Sequence, residues 1–324
     1  MCTGIRLNAK NGHVVYGRTL EFGIPTDSNI IIVPRNYSFV GTVPSGKHGL
    51  AWKSIYAVVG ANMLGYNCLV DGVNERGLAG GLFYFPDYAQ FQQVSSEEYR
   101  SVLAPWELLT WILTNFSSTA EVKNALLAVK VAPTVFAPWG IVPPIHVIIH
   151  DTEGASLVVE YSNGSLFMHD NPLGVITNAP SFEWHITNLK NYSNLTPFNS
   201  QNPSLGQGSG MFGLPGDFTS PSRFVRAAMF SQNVLESETT DDARDTLFHL
   251  LNLFNIPKGI IRDKSKNKTV YDYTQWTTVS DLHKKRYYWH TYQNPHIQMF
   301  DLMNADVQNP DIVTIAMHTP FPLK

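Results

Sequence analysis

The order in which helix and strand patterns follow one another limits the fold of this chain more than any other feature. Strand-like segments come first, two helices follow, more strands lead to a second helix pair, and strands close the chain. The spacing of apolar residues predicts long helices over Ser101–Phe116, Ser118–Val129, Pro221–Leu235 and Thr239–Leu253. This order differs from the βαβ alternation of parallel sheets. It predicts an α+β fold, a four-layer αββα sandwich of mainly antiparallel sheets.

The size of the chain allows one large domain or two ordinary ones, because it has 324 residues and 44% of them are hydrophobic. The segment Lys190–Gly210 is rich in Asn, Ser, Gly, Pro and Gln. Patterning resumes after it without a change in composition, so we predict a long loop rather than a domain linker, and a candidate subunit contact. We expect a single domain over residues 1–324, from which Met1 is removed.

Charge and composition exclude several classes of partner. The net charge is −3 and the pI is near 6.4, so no general affinity for nucleic acid or membranes is expected. No apolar run approaches the ~20 residues that span a bilayer. The N-terminus lacks the basic and apolar regions of a signal peptide, so we expect a cytoplasmic protein, or a periplasmic one if a signal was trimmed. The scattered histidines and two cysteines form no zinc motif or disulfide framework, and no metal is expected.

The first residues carry the strongest chemical signal. A cysteine follows the initiator methionine, so removal of Met1 would leave Cys2 with a free α-amine beside its thiol. A free α-amine has a pKa of about 7.7–8.0 and a free thiol one of about 8.5. Groups so closely matched share a proton near neutral pH, and an N-terminal amine is an established base for its own side chain. Cys2 is therefore a candidate nucleophile, although many proteins begin Met-Cys with an inert cysteine.

The same stretch is predicted to form a β-hairpin. Asn11-Gly12 is a strong signal for a two-residue type I′ turn, and the flanking runs are strand-like. In that register Cys2 opposes Glu21, at roughly 4.5–5.5 Å between their Cβ atoms. A carboxylate would then lie beside the N-terminal amine. Arg18 would fall on the other face of the sheet unless a bulge turned it inward.

Two further features concern a possible ligand pocket. The segment Val131–Pro144 contains four prolines together with Phe136 and Trp139. This stiff loop would either close over an apolar ligand or pack as an ordinary surface loop. Cys68 lies in an apolar segment, which favours a buried hydrophobic residue over a second nucleophile.

Four motifs are spread over the chain. In chain order they are Met1-Cys2-Thr3-Gly4 with Gly17-Arg18-Thr19-Leu20-Glu21, Asp71–Leu78, Asn171–Pro180 and Gly213–Phe224. Together they resemble the choloylglycine hydrolase family of conjugated bile salt hydrolases and penicillin V acylases. The resemblance covers nearly the whole chain. It implies the N-terminal nucleophile hydrolase fold, hydrolysis of linear amide C–N bonds in acylated small molecules, no metal or cofactor, and a homotetramer.

The resemblance also implies roles for individual residues. Cys2 is the nucleophile and its α-amine the general base, while Arg18 would favour the thiolate because a nearby cation lowers a thiol pKa. Glu21 stands where most relatives have Asp and would hold the amine. Asn178 matches the side-chain donor of the oxyanion hole, a kind of donor whose loss typically costs ~2.7–4 kcal/mol. Arg223 matches a second arginine of the catalytic site.

Other positions are matched less closely. Arg226, one turn after Arg223, is a weaker candidate for the second arginine. Tyr84 falls near a position that is Asn in many bile salt hydrolases and Tyr in penicillin V acylases. Aromatic residues expected to line the acyl side of the site favour aromatic or alkyl acyl groups over a steroid; they are Phe22, Phe83, Tyr84, Phe136 and Trp139.

Alternatives remain open at this point. Within the hydrolase interpretation, the substrate is a conjugated bile salt, penicillin V or an N-acyl homoserine lactone. A second interpretation is a non-catalytic ligand-binding protein on the same scaffold, with Met1 retained. A third is a cysteine hydrolase that uses Cys68 with a distant histidine.

Overall fold

The computed structural model describes residues 1–201, 204–265 and 268–318. Most of these residues lie in β-strands or in the turns that connect them. Numbered along the chain, the strands are β1 (Cys2–Asn8), β2 (Val14–Phe22), β3 (Asn29–Val33), β4 (Ser38–Thr42), β5 (His48–Lys53), β6 (Val58–Asn62), β7 (Leu69–Asn74), β8 (Ala79–Tyr84), β9 (Val102–Leu103), β10 (Lys130–Val131), β11 (Ile145–His150), β12 (Ser156–Ser162), β13 (Ser165–Asp170), β14 (Val175–Ile176), β15 (Ile261–Ser265), β16 (Lys268–Asp281), β17 (Arg286–Thr291), β18 (Gln298–Asp301) and β19 (Val313–Ala316).

The helices of the described residues fall into two groups along the chain. The α-helices are α1 (Leu108–Asn115), α2 (Thr119–Leu126), α3 (Phe182–Leu189), α4 (Ser220–Asn233) and α5 (Thr240–Asn252). Short 3₁₀ turns lie at Ser96–Ser101, Pro105–Glu107, Lys190–Tyr192 and Leu302–Asn304. The predicted loop Lys190–Gly210 begins with the third of these turns, and its residues 202–203 lie outside the described ranges.

The first predicted helix, Ser101–Phe116, is wrong in its first half. Residues 102–103 form a short strand, and a 3₁₀ turn follows before α1 begins at Leu108. Pro105 explains the difference, because proline disfavours helical conformation in the residue before it and has no backbone N–H. The second predicted helix begins as expected, with Ser118 accepting a hydrogen bond from the Glu121 backbone at 3.2 Å, but it ends at Leu126.

Two large sheets form the middle of the molecule. The first sheet has the order β14-β1-β2-β16-β17-β18, with β15 on β16. The second sheet has the order β13-β12-β11-β8-β7-β6-β3-β19. Neighbouring strands within both sheets run antiparallel. Helices α4 and α5 pack on the first sheet and α1 on the second. The predicted α+β sandwich of mainly antiparallel sheets is confirmed.

Side-chain alternation along the strands divides the core in two. In β3, Ile30 and Ile32 face the cluster shared by both sheets, whereas Ile31 and Val33 face the cluster beneath α1 and α2. Gly4 of β1 brings the sheets close together, since a Cβ there would lie 2.8 Å from the Phe83 ring. The inner faces of the two sheets are therefore in direct contact beside the start of β1.

The N-terminal hairpin forms, but its predicted turn is wrong. The Gly12 N–H donates to the Ala9 carbonyl at 2.9 Å, and the Ala9 N–H donates to the His13 carbonyl at 2.8 Å. Gly12 has a φ of 80°, whereas the φ of Asn11 is not positive. A type I′ turn needs positive φ at both central positions, and neither Lys10 nor Asn11 has one. The hairpin turn is therefore not type I′, and Gly12 follows it as a glycine bulge.

That extra residue shifts the strand pairing by one. Cys2 opposes Leu20 instead of Glu21, and Gly4 opposes Arg18. Because side chains alternate along a strand, Arg18 shares the inner face with Cys2 and needs no bulge to reach it. Glu21 instead points toward the helices α4 and α5.

Candidate active site

Cys2 opens β1 at the point where both sheets and α4 converge. Its side chain is 4% exposed. Its Sγ accepts a hydrogen bond from Arg18 Nη2 at 2.8 Å. Its backbone nitrogen donates to Asn178 Oδ1 at 2.9 Å, and its carbonyl accepts from Arg223 Nη1. The structure therefore brings Cys2, Arg18, Asn178 and Arg223 into direct contact.

The guanidinium of Arg18 is held on both sides. Its Nη1 donates to the carbonyls of Leu82 at 2.6 Å and Val70 at 3.1 Å. Its central carbon lies 4.1 Å from the centre of the Phe83 ring, within range of a cation–π contact. These contacts fix the direction in which Nη2 reaches the Cys2 sulfur.

A buried acidic group lies below Arg18. Asp71 accepts hydrogen bonds from Thr278 at 2.8 Å and from the Tyr287 hydroxyl at 2.7 Å. Burial raises the pKa of Asp71, and the positive charge of Arg18 opposes that rise. Burial alone would lower the pKa of Arg18, but Cys2, Tyr16 and Asp71 together raise it. The arginine therefore stays charged beside the sulfur.

Gly81 makes room for this arrangement. A Cβ at Gly81 would lie 2.7 Å from the Tyr16 hydroxyl and 3.0 Å from both Arg18 Nη1 and Asp71 Oδ1. The backbone of β8 can approach these groups only because residue 81 has no side chain.

Glu21 approaches the N-terminus from the opposite face of the first sheet. Its backbone N–H donates to the Met1 carbonyl at 2.8 Å, and the Met1 amine donates to its carbonyl at 2.5 Å. The carboxylate Oε1 accepts from Thr274 at 2.9 Å, whereas Oε2 has no hydrogen-bond partner among the described residues. Burial raises the Glu21 pKa, and the nearby N-terminal charge and Arg223 oppose that rise. The carboxylate therefore lies near the terminal amine despite the corrected register.

Asn178 is positioned through every polar group it has. Its Oδ1 accepts from Arg223 Nη2 at 2.7 Å in addition to Cys2, and its Nδ2 donates to the Tyr84 carbonyl at 2.7 Å. Its backbone N–H donates to Ser220 Oγ at 2.9 Å, and its carbonyl bonds His185 Nε2 at 2.8 Å. Ser220 and His185 therefore help to position Asn178, and neither was predicted from the sequence.

The two arginines of α4 differ in what they reach. Arg223 also donates to Thr3 Oγ1 at 2.9 Å and to the Phe218 carbonyl at 2.9 Å, so it ties the helix to β1. Burial lowers the Arg223 pKa, and Glu21 and Cys2 oppose that effect. Arg226 instead donates to the Gly216 carbonyl at 2.8 Å and lies over Phe254. Arg223 contacts Cys2, whereas the structure gives no such contact for Arg226. The geometry therefore favours Arg223 over Arg226 as the second arginine of the site.

A narrow apolar cavity of about 70 Å³ opens beside the Cys2 sulfur. Four of the five predicted aromatic residues line it, namely Phe22, Tyr84, Phe136 and Trp139. The Phe22 and Trp139 rings stack at 5.3 Å between centroids. Phe83 does not line this cavity, which corrects its predicted place. Alternation along β8 turns Phe83 into the inter-sheet core, whereas Tyr84 on the next position faces the cavity.

Other walls of the cavity were not predicted from the sequence. Met63, Tyr66 and Trp106 line it, together with Cys68. Met63 and Tyr66 lie in the connection between β6 and β7, and Trp106 lies in the 3₁₀ turn before α1. No periodic pattern marks these positions, because tertiary folding alone brings the two connections to Cys2.

Cys68 is a poor candidate for a nucleophile. Its apolar surroundings, together with the nearby Glu107 carboxylate, raise the pKa of its thiol to about 12. The thiolate is the reactive form of cysteine, so Cys68 is almost wholly unreactive near neutral pH.

Within residues 1–201, 204–265 and 268–318, no three His, Cys, Asp or Glu side chains converge as a metal-binding group. In the same part of the chain, no helix has the length and apolar character needed to cross a bilayer.

His185 gives a prediction for the pH dependence of stability. Burial lowers its pKa from 6.5 to about 4. As pH falls, His185 is therefore protonated in the unfolded chain before it is protonated in the folded chain. The contribution of His185 to the free energy of unfolding is consequently lost as pH falls from 6.5 to about 4. We expect the free energy of unfolding, from urea titrations, to fall less steeply across this window in His185→Gln than in the wild type. Parallel pH dependences in the two proteins would contradict the assignment.

Comparisons with known proteins agree with this geometry. A sequence model of the linear amide C–N hydrolases, choloylglycine hydrolase family, matches residues 2–315. The bile salt hydrolase/transferase of Clostridium perfringens (strain 13 / Type A) is 34% identical over 324 residues, covering 97% of this chain and 96% of that protein. The penicillin V acylase of Pectobacterium atrosepticum is 25% identical, covering 89% of this chain and 77% of that protein.

A solved structure extends the similarity to three dimensions. An Arg-to-Leu variant of conjugated bile acid hydrolase from Clostridium perfringens superposes with a TM-score of 0.87 at 30% identity, covering 100% of this chain and 99% of that chain. The family match spans nearly the whole sequence, and the fold is shared along its full length. The chain therefore belongs to the choloylglycine hydrolase family of linear amide C–N hydrolases.

Proposed function

We propose that this protein hydrolyses the amide bond of an acylated small molecule, with Cys2 as the nucleophile. One observation carries the proposal. The Cys2 sulfur lies at the wall of an apolar cavity, 2.8 Å from a buried guanidinium, while Asn178 and Arg223 hold its backbone. A nucleophile, a charge that favours its ionised form and a nearby amide donor are the groups that acyl transfer requires.

Removal of Met1 is the first requirement of this mechanism. While Met1 is attached, the Cys2 nitrogen is an amide and cannot accept a proton. After removal the same nitrogen is an amine, located where it now donates to Asn178 Oδ1. We propose that Glu21 holds this amine through its unpartnered Oε2, and that the amine takes the thiol proton. Arg18 then stabilises the thiolate.

The chemical steps follow from these positions. The thiolate attacks the carbonyl carbon and forms a tetrahedral oxyanion, which Asn178 Nδ2 stabilises by donating a hydrogen bond. The protonated amine of Cys2 gives its proton to the departing nitrogen, the C–N bond breaks, and an acyl-thioester remains. The amine then takes a proton from water, whose oxygen attacks the thioester carbonyl carbon. The C–S bond breaks, the carboxylic acid leaves, and the Cys2 sulfur regains a proton from the ammonium group.

The size of the cavity favours a slender acyl group. A cavity of about 150 Å³ is known to hold benzene, and the cavity beside Cys2 measures about 70 Å³. An alkyl chain fits this space best. A single aromatic ring needs more room than this cavity gives, and a fused steroid needs still more.

We therefore expect a defined order of substrates. Purified protein, shown by intact mass to lack Met1, is given a long-chain N-acyl homoserine lactone, penicillin V and glycocholate under identical conditions. We expect kcat/KM to be highest for the alkyl amide, lower for penicillin V and lowest for glycocholate. Glycocholate as the best substrate would contradict the size argument, and equal inactivity on all three would discard this class of substrate.

Two broader predictions from the resemblance remain proposals. We propose a homotetramer, with the segment Lys190–Gly210 as a candidate subunit contact. We also propose a cytoplasmic location.

A further inference from the structure

A second cavity, of about 350 Å³, adjoins the cavity beside Cys2. The two share the side chains of Tyr66, Cys68, Trp106 and Phe136 as walls. The Phe136 ring is central to this partition, since its centroid lies 4.8 Å from that of Tyr66 and 5.1 Å from that of Trp106. We name this second space the outer cavity. The two cavities are therefore neighbours across these shared side chains.

Aromatic and aliphatic side chains form more than half of the wall of the outer cavity, and the polar side chains of Thr42, Asn67 and Glu107 contribute to the rest. Phe39 and Trp52 stack on one another with 4.9 Å between their centroids. Val40 of β4 is 51% exposed and Val135 of the proline-rich loop is 57% exposed, and both line this space. Exposed aliphatic side chains that face a shared concave space are typical of a site for an apolar ligand.

The charged group of the outer cavity is already satisfied by the protein. Glu107 accepts hydrogen bonds from the Thr42 N–H at 3.0 Å, from the Thr42 hydroxyl at 2.7 Å and from the Ala104 N–H at 2.8 Å. A ligand therefore needs no polar group to complete the bonds of this carboxylate, which favours a hydrocarbon over a polar or charged occupant.

From these features we infer that the outer cavity binds the distal part of an unbranched acyl chain whose amide carbonyl lies at Cys2. The inference rests on the proposed amide hydrolysis and specifies its substrate class as medium- to long-chain acyl amides. The first cavity, at about 70 Å³, holds only the first few carbons of such a chain. The remaining methylenes pass the edge of Phe136 and lie between Val40 and Val135.

Chain length gives a direct test. Amides of one amine with butanoyl, octanoyl, dodecanoyl and phenoxyacetyl groups are compared in the wild type, since each methylene buried on binding contributes about fourfold. Val135→Asp and Val40→Asp place a carboxylate in the outer cavity at exposed positions, so neither threatens folding. Ile141→Asp is the matched control, because Ile141 is 47% exposed in the same loop but is not among the residues lining either cavity.

The expected result is selective. Val135→Asp and Val40→Asp should lower kcat/KM for the dodecanoyl amide by about tenfold or more, because a charge opposes burial of hydrocarbon beside it. The butanoyl and phenoxyacetyl amides should change by less than about twofold, and Ile141→Asp should change none of them. Equal loss for short and long chains, or no loss at all, would overturn the inference. Hydrolysis of short amides alone by the wild type would also overturn it while leaving the proposed function intact, whereas inactivity on every amide would overturn the proposed function itself.

Discussion

Cys2→Ser is expected to lower kcat by on the order of 10⁴-fold or more, the size of loss that follows removal of a catalytic nucleophile. A serine hydroxyl has a far higher pKa than a thiol, so the terminal amine cannot ionise it near neutral pH. Serine still offers an acceptor to Arg18 Nη2, which donates to the sulfur at 2.8 Å in the native protein. We therefore expect the melting temperature and circular dichroism spectrum to stay close to those of the wild type.

The labelling pattern of the two cysteines provides the control. Iodoacetamide at neutral pH should modify Cys2 much faster than Cys68, whose thiol pKa is about 12. Peptide mapping after partial labelling measures both rates in one sample. Full activity of Cys2→Ser, or loss of activity that follows labelling of Cys68, would refute the assignment of the nucleophile.

Asn178→Ala is expected to lower kcat by about 10²–10³-fold, because removal of one oxyanion donor has that effect in other acyl-transfer enzymes. The substitution also removes the acceptor that holds the Cys2 nitrogen and Arg223. The loss should appear mainly in kcat, with KM changed little, since the donor acts on charge that develops after binding. Steady-state kinetics with the best substrate of the panel measure both constants.

Asn171→Ala is the matched control for this variant. Asn171 is also buried, and its side chain donates to the Val175 carbonyl at 2.9 Å and accepts from the Gly174 N–H at 3.0 Å. It shapes the turn before β14 and has no contact with Cys2 among those the structure gives. We expect this variant to lose stability but to keep kcat within a few-fold of the wild type. A similar fall in kcat for both variants would show that the effect of Asn178 is structural.

The fold could be predicted because it follows from the order of elements. Two helix pairs separated by strand-rich segments leave few arrangements other than layered sheets covered by helices. The register of the first hairpin could not be predicted in the same way. Asn11-Gly12 permits positive φ at both positions, but only Gly12 adopts it. The local sequence is compatible with a type I′ turn and with the turn that carries a bulge at Gly12. We attribute the choice between them to the pairing of β1 with β2 and β14.

The site could be predicted only in part, for a similar reason. Cys2, Arg18, Asn178 and Arg223 lie in recognisable motifs, and the structure places them together. Phe83 was predicted to line the cavity, but it faces the core between the sheets. An aromatic residue in a strand does not indicate which face of the sheet borders the cavity.

Residues that act through the backbone of others were not visible in the sequence. Ser220 and His185 bond the main chain of Asn178, and such contacts depend on the path of the chain rather than on any spacing of residues. Ser220 lies in the segment Gly213–Phe224, whose motif marks the segment but not the role of this residue. His185 had no signal beyond its position on a short helix.

Helix α4 carries both Arg223, which donates to the Cys2 carbonyl, and Ser220, which accepts from the Asn178 N–H. Both contacts therefore depend on the position of this one helix. Ala227 and Ala228 of the same helix are fully buried. A larger side chain at either position would therefore displace the helix. Such a change would alter turnover although the substituted residue does not touch the substrate. The packing of this helix against the sheet is therefore expected to influence the catalytic rate.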